Sequence, residues 1–136
     1  MEYKVAVTGL REYVKAVKRL DADAPKAIRL ANNVSAQALI DWTKPKVPQR
    51  TGAARASLRA QSTRTAVRIR VGGSKAPYYP WLDFGGRTGR RKATVRPFYR
   101  AGRYLYPTLA DHRADFAQIM RKSLLEVGRD AGLEID

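Results

Sequence analysis

The stretch AARASLRAQSTRTAVRIRV at residues 53–71 decides the fold class of this chain. It contains two segments in which apolar and polar side chains alternate. The apolar positions are Ala54, Ala56, Leu58, Ala60, Val67, Ile69 and Val71. A period of two is typical of strands that bury one face. The polar residues 62–65 between the segments predict the turn of a β-hairpin, with arginines such as Arg55 and Arg68 on its outer face.

Helical patterns flank this hairpin on both sides. Alternation at residues 3–8 predicts a first strand, and apolar residues three and four positions apart predict a helix over 10–20. A last helix is predicted over about 105–131. Its expected apolar face consists of Leu109, Phe116, Ile119, Met120, Leu124, Val127 and Ala131.

A long helix is also predicted immediately before the hairpin. It runs from Pro25 to about Thr43, because Pro45 cannot continue an α-helix. Small residues dominate its expected inner stripe, which is Ala27, Ala31, Val34 and Ala38. A turn is predicted at residues 50–52.

The order of these elements predicts one α+β domain over residues 1–136. A small antiparallel sheet with a β-hairpin is expected to pack against the long helix of the N-terminal half and against the C-terminal helix. Residues 1–71 and 103–136 form the expected scaffold. Residues 72–102 form a basic, aromatic loop region that is rich in glycine.

The positive charge of the chain is concentrated in its middle. The sequence contains 27 Lys and Arg against 12 Asp and Glu, a net charge of +15. Between Lys44 and Arg103, 16 basic residues accompany a single acid, Asp83, whereas the remaining 11 basic and 11 acidic residues cancel. This balance indicates a polyanionic partner, either a nucleic acid or an acidic protein surface.

Side chains for catalysis and metal binding are scarce. The absence of cysteine from the sequence excludes disulfides, zinc–thiolate sites and thiol nucleophiles. His112 is the only histidine, and its position in a helical pattern favours packing or surface exposure over general-base chemistry. Because Asp83 is the only acid of the middle segment, a paired-carboxylate site is not expected there. We therefore predict a protein that is not an enzyme and uses no cofactor or metal.

Membrane association is also not expected. No apolar run approaches the about 20 residues that span a bilayer. Residues 1–5 lack the basic-then-apolar pattern of a secretory signal. We predict a protein without a membrane partner.

Residues 72–102 combine arginine with aromatic side chains. Eight of the twelve aromatic residues lie between Tyr78 and Tyr106. Nucleic-acid-binding surfaces and protein–protein interfaces share this composition, so it does not distinguish the two. The candidate interface or DNA-channel residues are Arg87, Arg90, Arg91, Lys92, Tyr78, Tyr79, Trp81, Phe84, Tyr99 and Tyr104.

Specific roles are expected within this set. Residues 85–94 lack periodicity and predict a loop that is flexible in the free protein. Trp81 and Phe84 are expected to anchor this loop to the hairpin, with Tyr78 and Tyr79 nearer to an interface.

An ordered set of short motifs runs along most of the chain. Val7-Thr8-Gly9-Leu10 leads into the first helix, and Val47-Pro48-Gln49-Arg50-Thr51-Gly52 follows the second. Val71-Gly72-Gly73 then precedes Ala76-Pro77-Tyr78-Tyr79-Pro80-Trp81-Leu82-Asp83-Phe84-Gly85-Gly86. This order resembles the small neck or tail-component family of lambdoid long-tailed phages, as found in phages of actinobacteria. The resemblance covers about residues 7–131, and Asp83 stands where that family usually has glutamate.

The resemblance implies a non-catalytic structural protein of the virion, assembled in the host cytoplasm. It implies a homo-oligomeric ring at the head–tail connector. The implied partners are other copies of the chain, the adjacent head-closure or adaptor protein, and a tail-terminator or tail-tube protein. Some arginines are expected to contact packaged DNA non-specifically.

Two alternatives remain open at this point. One is a tail-terminator protein that caps the tail tube, and the other is a stand-alone basic nucleic-acid-binding protein. The basic loop is expected either to dock on a neighbouring subunit, which we favour, or to line the DNA channel.

Overall fold

The computed structural model describes residues 1–49 and 52–133, and it confirms an α+β fold. The α-helices are α1 (Leu10–Leu20), α2 (Ala24–Thr43), α3 (Ala53–Ala56), α4 (Tyr79–Phe84), α5 (Leu105–Asp111) and α6 (Arg113–Asp130). The strands are β1 (Glu2–Val5), β2 (Arg59–Ala60), β3 (Val67–Arg70), β4 (Gly86–Thr88) and β5 (Thr94–Arg96). Single turns of 3₁₀ helix lie at Lys44–Lys46 and Arg90–Lys92.

The strands form two small antiparallel sheets. In the first, β3 lies between β1 and β2, with Tyr3 opposite Ile69 and Val5 opposite Val67. These four side chains are buried, as expected from the alternation of the sequence. The second sheet is a hairpin in which β4 pairs with β5.

Helix α2 is the centre of the scaffold, since the first sheet, α1, α5 and α6 all contact it. Its start near Pro25 and its end at Thr43 agree with the sequence prediction. The predicted inner stripe was wrong in part, because Val34 is 52% exposed and Ala27 and Ala38 are only half-buried. Packing on more than one side widens and shifts the buried face. It consists of Ala24, Ile28, Ala31, Asn32, Ser35, Ala36, Leu39, Ile40 and Thr43.

The first strand of the predicted hairpin is mostly a helical turn. Ala53–Ala56 form α3, and only Arg59–Ala60 pair with β3. Alanine favours helix over strand, so local propensity overrides the alternating pattern here. Arg55 donates from Nε to the carbonyl of Val47 at 2.6 Å rather than lying on a strand face. The predicted turn at 50–52 lies outside the described residues at Arg50 and Thr51.

Two further predictions required correction. The stretch predicted as an unstructured loop, 85–94, contains the β4 strand, a 3₁₀ turn and the start of β5. The predicted last helix is divided at His112, whose ring stacks on Trp42 with centroids 4.4 Å apart. From that point α6 runs along α2 and buries Phe116 and Met120.

Candidate functional site

A buried carboxylate organises the region that carries most of the candidate residues. Asp83 is 1% exposed and accepts a hydrogen bond from the Tyr3 hydroxyl. Its Oδ1 also accepts from the backbone N–H groups of Arg103, at 2.6 Å, and Tyr104, at 3.0 Å. This one side chain therefore joins β1, α4 and the segment that enters α5. Sequence reasoning noted Asp83 as the lone acid of the middle segment but did not assign it this role.

Burial keeps the tyrosines around this carboxylate protonated. Burial raises the pKa of Tyr3 well above its usual range, and neighbouring Tyr79 and the hydrogen bond to Asp83 add to the effect. Burial likewise raises the pKa of Tyr79, with a further contribution from the charge of Asp83. The Tyr3 hydroxyl thus remains a donor to the carboxylate at alkaline pH values where an exposed tyrosine would ionise.

Two of the predicted interface residues lie in the core. Tyr79 is fully buried and meets the Tyr3 ring edge to face, with centroids 6.5 Å apart. Tyr104 is also buried, and its hydroxyl accepts from Arg96 Nη2 at 3.0 Å. Assigning these two tyrosines to a partner surface was therefore wrong, because both side chains are buried inside the chain, Tyr79 against Tyr3 of β1 and Tyr104 beside Arg96.

Trp81 and Phe84 contact the base of the β4–β5 hairpin, which is the segment predicted as a loop, whereas their predicted anchoring of that loop to residues 54–71 stays a prediction. The indole of Trp81 donates to the carbonyl of Gly86 at 3.1 Å, and the Arg96 guanidinium lies 5.6 Å from its ring centroid. The carbonyl of Phe84 accepts from the N–H of Tyr99 at 2.8 Å. A side chain at Gly85 would collide with the carbonyl of Pro97. The chain after β5 can therefore pack this closely against residue 85 only because that residue is glycine.

The β4–β5 hairpin and the residues just after it carry both charge and exposed apolar side chains. Arg87, Arg90, Arg91 and Lys92 are all exposed, and no acid occurs between Gly85 and Thr94. Val95, Phe98 and Tyr99 are 63%, 67% and 52% exposed. We call these three residues the apolar edge. The Arg103 guanidinium lies 4.2 Å from the centroid of the Tyr99 ring, which leaves one face of that ring for other contacts.

The inner side of the hairpin borders an apolar groove of about 570 Å³. Pro48, Tyr78, Trp81 and Leu82 line it, together with Thr88 and Thr94 of the paired strands. Tyr78 is 39% exposed, so it is the one of the two adjacent tyrosines that faces outward.

The described part of the chain holds neither a metal site nor a membrane-spanning helix. Within residues 1–49 and 52–133, no group of three or more His, Cys, Asp or Glu side chains is placed to hold a metal ion. No helix in the same ranges is long and apolar enough to cross a bilayer. His112, half-buried against Trp42, lies 3.7 Å from the Asp115 carboxylate.

No family model matches the chain, and no curated protein or solved structure is significantly similar to it.

Proposed function

We propose that this chain is a structural subunit of a phage neck, which assembles as a homo-oligomeric ring between head and tail. The observation that carries the proposal is the surface of the β4–β5 hairpin. Together with the apolar edge that follows it, this hairpin presents four exposed cations, a composition enriched at protein interfaces. The motif order of the sequence supports the placement in a neck.

The exposed area of the chain supports assembly. A monomer of 15.2 kDa exposes about 7,100 Å² by the usual scaling with mass, whereas this chain exposes 8839 Å². The excess is about 1,700 Å². A ring subunit with two standard interfaces buries about 800 Å² in each, or about 1,600 Å² in total. A surplus of exposed surface is what a subunit that loses area on assembly would show.

Charge supports the hairpin as a contact between subunits. If the hairpin docks on a neighbour, its cations should meet carboxylates there, and Glu126 and Asp130 are exposed acids near the end of α6. Asp111 and Asp115 are less available, because they lie 3.5 Å from Lys46 and 3.7 Å from His112.

Self-association tests the ring. Sedimentation velocity over about a hundredfold range of protein concentration should show reversible assembly, since mass action favours the oligomer at high concentration. The double variant Val95→Ser/Phe98→Ser should stay monomeric throughout. Leu30→Ser/Val34→Ser is a matched control, because both residues are 52% exposed on α2. Equal loss of assembly in both variants would contradict a role specific to the apolar edge.

Deleting the gene from the source genome tests the position in the virion. Loss of a neck subunit should yield DNA-filled heads and complete tails that do not join. Loss of a tail terminator should instead yield tails of irregular length. Normal, joined particles would overturn both readings.

A further inference from the structure

A second basic surface lies away from the hairpin, on the scaffold. A groove of about 470 Å³ separates the first two turns of α2 from the turn before β3. Its lining residues are Pro25, Lys26, Arg29, Thr63, Arg64, Thr65 and Arg68. Four of these seven are cationic, and none is acidic. We call this site the scaffold groove.

The turn that carries Arg64 is held by side chains of α2. Asn32, fully buried, donates from Nδ2 to the carbonyls of Thr63, at 2.9 Å, and Arg64, at 3.4 Å. The neighbouring Asn33 accepts from the N–H of Ser62 at 2.8 Å. These bonds fix the position of the turn backbone relative to the helix. A ligand of the groove therefore meets a wall that is already ordered, which lowers the entropic cost of binding.

Further hydrogen bonds tie this turn to β3. Ser62 Oγ accepts from the N–H of Arg68 at 3.1 Å, and the N–H of Thr63 donates to the Ala66 carbonyl at 2.9 Å. The hydroxyl of Thr63 is buried and has no hydrogen-bond partner among residues 1–49 and 52–133. Thr63 also lines the groove, so its unpaired hydroxyl lies next to the wall that a ligand would contact.

The charges of the groove favour an anion with several oxygens. Lys26 and Arg29 are three positions apart on one face of α2, and both are exposed. Arg68 Nε lies 3.3 Å from Glu2 Oε1, so one cation is partly neutralised from β1. The other three have no ion-pair partner in the described part of the chain. Arginine guanidinium groups pair with phosphate oxygens through two parallel N–H bonds.

We propose that the scaffold groove binds the phosphates of a nucleic-acid backbone without reading sequence. A row of phosphates matches cations spread over a helix and a turn better than a single small anion does. The groove offers no aromatic ring on which a base could stack, so contact is confined to the backbone. This proposal goes beyond the neck assignment, because it requires no ring.

DNA binding by the full chain tests the proposal at concentrations where it is monomeric. Fluorescence anisotropy with a labelled duplex would be measured between about 50 and 200 mM salt, where each neutralised phosphate contributes about 0.9 to the slope of log K against log salt. The test variant is Arg29→Gln/Arg64→Gln. The control variant is Arg100→Gln/Arg113→Gln, which changes two other exposed arginines. Each variant removes two charges from the net +15, so overall charge is matched.

The proposal predicts different DNA affinities for the test variant and the control variant. The test variant should bind about tenfold more weakly or worse, with a slope smaller by about 1.8, while the control stays close to the parent chain. Equal weakening of both variants would indicate diffuse charge and overturn the proposal. Loss of binding only in Arg90→Gln/Arg91→Gln would move the contact to the hairpin and also overturn it.

Competition by inorganic phosphate is a second test of the proposal. At constant ionic strength the phosphate should displace the duplex only weakly, because it cannot span several cations. If inorganic phosphate instead saturates the groove and the duplex does not bind, the site is for a small anion and the nucleic-acid assignment fails. Melting temperatures of both variants should equal that of the parent chain, since none of the substituted side chains is buried. Ring formation is measured separately, so either proposal can fail alone.

Discussion

Replacing Asp83 with alanine should destabilise the chain more than any surface substitution of the same charge. The change removes the carboxylate that accepts from two buried donors, the Tyr3 hydroxyl and the Tyr104 N–H. Each unsatisfied buried donor costs about 1–3 kcal/mol, which gives about 2–6 kcal/mol for the pair. The third donor, the N–H of Arg103, is only partly buried and can bond to water. A loss of this size is a large fraction of the about 5–15 kcal/mol that stabilises a typical domain.

Equilibrium unfolding in urea, followed by tryptophan fluorescence, measures this loss. Asp111→Ala is the matched control, because its carboxylate is exposed and lies 3.5 Å from the ammonium of Lys46. An exposed ion pair of this kind contributes about 0–1 kcal/mol. If the two variants lost equal stability, or if Asp83→Ala lost less than about 1 kcal/mol, the Asp83 carboxylate would not hold β1, α4 and the start of α5 together.

Three more predictions follow from the same region. The pKa of Tyr3 is higher in the folded chain than in the unfolded chain, so ionisation of this tyrosine opposes folding. The free energy of unfolding is therefore unaffected by Tyr3 below about pH 10, where the unfolded tyrosine is neutral. Above that pH it should fall by about 1.4 kcal/mol per pH unit for this one group. Tyr3→Phe should flatten that decline in thermal melts at alkaline pH, and an unchanged decline would contradict the assignment. Replacing the four hairpin cations, Arg87, Arg90, Arg91 and Lys92, with glutamine should reduce head–tail joining if they dock on a neighbour. Normal joining with altered DNA retention would instead favour channel lining. Hydrogen exchange in the isolated chain should be slowed at the paired residues of β4 and β5, and uniformly fast exchange over 85–94 would show that this hairpin forms only on assembly.

Local periodicity predicted the elements whose burial is one-sided. Helix α1 and strands β1 and β3 each face the core on one side, so their patterns of 3.6 or 2 residues survive in the sequence. The inner face of α2 was harder, because several elements pack around it. The alternation in 54–58 was misleading, since small alanines satisfy a strand pattern and a helical turn equally well.

The candidate site was predictable in composition but not in arrangement. The surplus of arginine and aromatic residues marked 72–102 as a surface for partners. No spacing rule separates Tyr78, which faces outward, from Tyr79, which is buried, because the two are adjacent at the start of the same short helix. The role of Asp83 depends on β1, 80 positions earlier in the chain, and the scaffold groove depends on α2 meeting a turn about 30 residues later. Contacts at such separations leave no local pattern.

The Asp83 network also fixes the order in which the chain can complete its fold during synthesis. Strand β1 emerges first, but its ladder partner is β3, and Tyr3 finds its acceptor only at Asp83. That acceptor is itself held by the backbone of Arg103 and Tyr104. Helices α1 and α2 can pair as soon as they are made, since their contacts are near in sequence. The β1–β3 ladder can form once Arg70 has been made, whereas the Asp83 network is complete only after Tyr104. The small sheet therefore forms before the contacts that join it to α4 and to the start of α5.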